Sequence, residues 1–171
     1  MEEAVSLIDR IIDEHKLIMH DMQTTENAAN DIAALFELYK PVEGSAPQTS
    51  SDYRQHMSDL QSSLNTVEEL LLHHFAHEEK LLKIASQKGP ESAITSALKV
   101  LIDEHGEIKR RIHREKNDIA EIIDGRLSDN EVGGKSFMVR AYLRHTMTLI
   151  EAHAHTEEEL LQSLREELTS T

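Results

Sequence analysis

A chain of 171 residues with a formal net charge of −14 is a poor partner for nucleic acid or anionic membrane, since both surfaces demand basic patches. Hydrophobic residues make up 39% and aromatics only 4%, with no Trp, so the core must come from Leu, Ile, Ala, Val and Met. The absence of Cys excludes disulfides, thiolate zinc sites and cysteine-ligated iron–sulfur clusters, leaving His, carboxylate and water as metal ligands.

The length suits a single domain over residues 1–171. No apolar run approaches the roughly 20 residues of a membrane span. The opening MEEAVSLIDR lacks a basic region followed by an apolar core. A soluble, cytoplasmic protein is expected.

Pro occurs only at 41, 47 and 90, and the long unbroken stretches between predict an all-α chain. The first helix is expected over about 3–39, with Val5, Ile8, Ile11, Ile12, Ile18, Met22, Ile32 and Phe36 on one face. Pro41 ends it, and PVEGSAPQTSS reads as a loop. Ser51 or Asp52 can cap a second helix over about 52–87, whose face is Leu60, Leu64, Val67, Leu71, His74, Glu78 and Leu81. Lys88-Gly89-Pro90 stops that helix and starts the next, over about 91–124, which presents Ile94, Leu98, Leu101, His105, Ile108, Ile112, Ile119 and Ile122. Gly125 and Gly133-Gly134 bound the last loop. The fourth helix, about 135–168, carries Val139, Tyr142, Leu149, His153, Glu157, Leu160 and Leu164. Four amphipathic helices of similar length predict an antiparallel up-down-up-down bundle.

Six polar residues fall in phase with these apolar faces: His15, His74, Glu78, His105, His153 and Glu157. A charged Glu inside a core costs several kcal/mol unless it is paired or bound to metal. Each Glu follows an in-phase His by four residues, which places the two side chains on one helical face about 6 Å apart along the axis. Both can then serve one metal site.

The order of these residues is a repeat. Ile-Asp-Glu-His occurs at 12–15 and again at 102–105, so His15 maps onto His105. His74 and Glu78 map onto His153 and Glu157 at one common offset. An approximate two-fold axis along a bundle would bring four His and two Glu to one level. Four imidazoles, two bridging carboxylates and a single bridging oxygen suit a pair of six-coordinate ions with about two positions left open. A His/carboxylate set without thiolates favours two irons, with manganese or zinc as weaker options.

The motif H-F-x-x-E-E at 74–79 resembles the second-helix motif of hemerythrin and the HHE cation-binding proteins. H-x-x-x-E-E at 153–158 and the two D-E-H segments resemble the other helices of that family. The resemblance implies a hemerythrin-like four-helix bundle with an oxo- or hydroxo-bridged non-haem di-iron centre that binds oxygen or nitric oxide. Hemerythrin proper carries H-x-x-x-H on its third helix, whereas Leu101 stands four residues before His105 here. Its fourth helix has H-x-x-x-x-D, one residue longer than the H-x-x-x-E of this chain. The set is more similar to the four-His, two-Glu branch that contains the repair of iron centres proteins, although the cysteine-bearing N-terminal segment of that branch is missing.

The other histidines divide by position. His77, three residues past His74, should border the site, with competition as a ligand as the alternative. His155 and His20 point away, and His56, His73, His113 and His145 read as surface or rim positions. Glu79 and Glu158 should face solvent or hydrogen-bond a ligand imidazole. Met19, Met22, Leu71, Leu101, Ile108 and Ile150 read as ordinary core that keeps the site dry. The expected function is binding of O2, NO or peroxide for sensing, scavenging or stress protection. The alternatives are a di-iron peroxidase, oxidase or NO-reducing enzyme, or iron storage and delivery. The oligomeric state stays open, a homo-oligomer included.

Overall fold

The computed structural model describes residues 2–38, 50–87 and 93–169, with the side chains of 35–38, 50–52 and 129 left aside. Four α-helices account for nearly all of it: α1 Glu2–Leu38, α2 Ser50–Ser86, α3 Ala93–Asp124 and α4 Asp129–Thr169. Each packs on two neighbours, in the ring α1–α2–α3–α4–α1. Lys80 near the end of α2 pairs with Glu3 at the start of α1 at 2.9 Å, and Arg165 near the end of α4 pairs with Asp9 at 3.2 Å. Ring neighbours therefore run antiparallel, and the protein is an all-α four-helix bundle.

Pro41, most of the loop after it and Lys88-Gly89-Pro90 fall outside the described residues, and the side chains of Phe36, Ser51 and Asp52 are among those left aside. At the last loop the structure departs from the glycine pattern. α4 starts at Asp129, so Gly133-Gly134 lies inside the helix rather than in the loop. The cause is a stronger local signal. Ser128 N–H donates to Glu131 Oε2 at 2.9 Å and Ser128 Oγ donates to the same oxygen at 2.7 Å, holding the first turn closed. Gly125, with φ +74°, takes the left-handed conformation that ends α3.

The core lies in two apolar clusters. One joins Ile18, Met22, Leu64, Val67, Leu71, Phe75, Ile108, Ile112, Met147 and Ile150 with their neighbours, and the other joins Ala4, Leu7, Ile8, Ile11, Leu81, Leu98, Leu161 and Leu164. The first continues past one end of a polar layer and the second past the other. Glu115 is a separate exception, only 2% exposed and in phase with Ile108, Ile112, Ile119 and Ile122. Thr146 Oγ1 donates to its Oε1 at 2.5 Å, while Oε2 has no hydrogen-bond partner. Burial raises its carboxyl to about 7, against the lowering effect of the Thr146 bond.

Candidate metal centre

All four helices contribute to the polar layer. α1 supplies His15, α2 supplies His74 and Glu78, α3 supplies His105, and α4 supplies His153 and Glu157; each is at most 6% exposed. The i, i+4 spacing on α2 and α4 aims His and Glu at the same interior level. His15 Nε2 lies 3.0 Å from Glu157 Oε2 and 3.1 Å from His74 Nε2. Across the layer, the His105 and His153 rings are 5.2 Å apart.

Glu78 connects the two sides. Its Oε1 lies 2.6 Å from His74 Nε2 and its Oε2 lies 2.6 Å from His105 Nε2. Within this layer, donor atoms close enough to share a cation form two groups: His15, His74, Glu78 and Glu157, and then Glu78, His105 and His153. Glu78 belongs to both. Thus the structure brings together all six residues singled out by phase, as a four-donor and a three-donor group with one common carboxylate.

These short approaches do not amount to a satisfied hydrogen-bond network. Glu78 Oε1, His105 Nδ1 and Nε2, His153 Nε2 and His15 Nδ1 are buried without a hydrogen-bond partner. A buried unpaired polar atom costs about 1–3 kcal/mol. Several such atoms converging on one level fit a set of lone pairs directed at a cation. Burial alone would lower the His74 imidazolium and raise the Glu78 carboxyl. The approach of Glu157 and Glu78 to His74, and of His105 and His74 to Glu78, outweighs burial in both cases. His74 is held well above the usual imidazole range, and Glu78 well below the usual carboxylate range.

The residue before each Ile-Asp-Glu-His histidine has its own task. His74 Nδ1 donates to Glu14 Oε2 at 3.3 Å, and His153 Nδ1 donates to Glu104 Oε2 at 3.0 Å. A carboxylate on Nδ1 fixes the tautomer and turns the Nε2 lone pair inward, as in metal sites generally. Of the two roles expected for Glu79 and Glu158, Glu79 takes the solvent-facing one and Glu158 is half-buried, while the carboxylates on the imidazoles come from the neighbouring helix. The signal was present in the repeated Asp-Glu-His, because both copies carry the Glu.

Phe75 was also missed as part of the site. Its ring stacks on His105 with centroids 3.8 Å apart and planes at 14°, and it meets His153 edge-on. His77 is half-buried and donates to Glu14 Oε1 at 2.8 Å, so it borders the centre. His20, His56, His73, His113, His145 and His155 are exposed. A small cavity beside the imidazoles is lined by His15, His74 and His153 together with Ile18, Met19, Leu71, Phe75, Ile108, Ile150 and Ala154. Its volume is about 10 Å³, against the roughly 10–15 Å³ needed to hold one water.

The model of the hemerythrin HHE cation-binding domain matches residues 6–164, which takes in the whole polar layer and all but the outer ends of α1 and α4. The chain belongs to the hemerythrin HHE cation-binding family. It is accordingly a cation-binding protein, and the His/Glu groups described above are donor sets of the kind that can hold a metal. Comparison with curated proteins and with solved structures gives no significant match. Among the described residues, no helix of this hemerythrin-like bundle is long and apolar enough to cross a membrane.

Proposed function

We propose that this hemerythrin-family protein holds two non-haem irons on His15, His74, Glu78, His105, His153 and Glu157, and that the centre takes O2, NO or peroxide. Its role would be sensing, scavenging or protection against oxidative or nitrosative stress in the cytoplasm. The observation that carries this reading is the pair of donor groups sharing Glu78, set in an apolar shell with space for about one water-sized molecule. Mixed imidazole and carboxylate donors without thiolate suit iron better than softer metals, and leave manganese and zinc as competitors. The six-residue set supports reading the chain as a member of the four-His, two-Glu branch of the family.

Iron, when bound, supplies redox chemistry and open coordination positions. The chain's own residues do the rest. The four imidazoles and two carboxylates hold the cations, and Glu14 and Glu104 keep the Nδ1 protons of His74 and His153 in place. Phe75, Leu71, Ile108 and Ile150 keep water out. Besides the imidazoles, the cavity lining offers no proton donor or acceptor side chain, which favours ligand binding over acid–base turnover.

Anaerobic loading with Fe(II), followed by metal analysis and separate titrations with O2, NO and peroxide, tests the reading. About two irons per chain and stable spectral changes with one of these ligands are expected. Fewer than one iron per chain would contradict it. Rapid turnover of the added ligand would identify an enzyme, and iron uptake without any response would identify storage or delivery.

A further inference from the structure

The two halves match at the inner layer but differ just outside it. On α2, His73 and His77 flank His74, whereas the corresponding residues on α4 are Ala152 and Thr156. His73 and His77 are four apart, the spacing at which two imidazoles on one helical face can chelate one metal. Both address the same carboxylate. His77 Nδ1 lies 2.8 Å and His73 Nδ1 lies 3.8 Å from Glu14 Oε1, and the two rings meet edge-on with centroids 4.5 Å apart.

Donor atoms of Glu14, His73 and His77 all fall within 4.8 Å of one another. Bonds of about 2.0–2.2 Å to a tetrahedral ion need its donors roughly 3.3–3.5 Å apart, a small adjustment for surface side chains. A hydrogen bond accounts for the His77 contact by itself. It does not account for His73, which is 72% exposed and too far from Glu14 to bond, yet has a ring nitrogen 3.8 Å from the same oxygen.

We propose that Glu14, His73 and His77 form a second, surface site for a divalent transition cation such as Zn²⁺, Co²⁺ or Fe²⁺. Two imidazoles and a carboxylate suit these ions and not Mg²⁺ or Ca²⁺. Three protein donors leave at least one position to solvent, so the ion enters and leaves from the exposed His73 side. Glu14 ties the site to the interior, since its Oε2 accepts from His74. The second half has only Glu104 at the equivalent place, with its side chain 45% exposed. The surface site therefore exists on one face of the bundle and has no counterpart on the other.

Equilibrium dialysis with Zn²⁺ tests this on the full chain, comparing wild type with the double variants His73→Ala/His77→Ala and His105→Ala/His153→Ala. Removing the exposed His73 and the half-buried His77 should leave the circular dichroism unchanged and lower the bound Zn²⁺ by one equivalent per chain. An unchanged Zn²⁺ count in His73→Ala/His77→Ala would overturn the proposal. Failure of the inner centre would show separately, as an unchanged count in His105→Ala/His153→Ala.

Discussion

Glu104 on α3 accepts a hydrogen bond at 3.0 Å from Nδ1 of His153 on α4, the helix that follows it. Glu14 on α1 does the same for His74 on α2 at 3.3 Å. Each Ile-Asp-Glu-His segment therefore supplies two things: an imidazole of its own to the layer, and a carboxylate that orients the imidazole of its hairpin partner. The duplicated tetrapeptide is explained by this double duty.

Replacing either carboxylate by its amide should loosen the centre without dismantling it. Glu14→Gln and Glu104→Gln are each expected to weaken metal binding about 10–100-fold. The loss should be larger for Glu14→Gln, because Glu14 also holds His77 and is the more buried of the two. Chelator competition on the loaded variants measures this. Affinities equal to wild type in both would remove the orienting role.

Phe75 has no polar atom, yet it is the wall on which His105 rests. Phe75→Leu keeps most of the apolar volume and loses the flat face, whereas Phe75→Ala leaves a cavity worth about 3–5 kcal/mol of stability. The Leu variant should fold, bind metal more weakly and exchange small ligands faster than wild type. Stopped-flow mixing of the loaded protein with NO reads the last effect. Unaltered ligand exchange in Phe75→Leu would mean that the ring does not limit access.

Glu115 gives a pH signature remote from the centre. The folded chain holds its proton up to about pH 7, while in the unfolded chain the carboxyl titrates near its ordinary value of 4.5. The folded state therefore binds more protons between these values, and stability falls as pH rises through that window. Above about pH 7 the full cost is present, up to about 3 kcal/mol. Glu115→Gln should then raise the urea midpoint of the metal-free protein at pH 8 more than at pH 5. Equal differences at both pH values would show that the buried carboxyl carries no such cost.

Much of this was legible from helical phase. His15, His74, Glu78, His105, His153 and Glu157 stand out because charge and imidazole interrupt faces otherwise made of Leu and Ile, and all six prove buried. Contacts across a helix interface were harder. Glu14 adjoins His15 and lies off the apolar stripe, so phase assigns it to solvent. Only the height and rotation of α1 against α2 bring it to His74. The Gly133-Gly134 pair misled in the opposite direction, since a Ser128–Glu131 capping pair outweighs two weak helix formers. Glu115 was visible in principle, being in register with Ile108, Ile112, Ile119 and Ile122, but it has no repeat partner to draw attention to it.

The central claim is that six residues form one centre for two cations, joined by Glu78. Iron content per chain tests it most directly, measured in the His73→Ala/His77→Ala background so that surface histidines contribute nothing. The parent should hold about two irons, His105→Ala/His153→Ala about one, and Glu78→Ala fewer than one, because Glu78 serves both groups. Full iron content in Glu78→Ala, or less than one iron in the parent, would contradict the account.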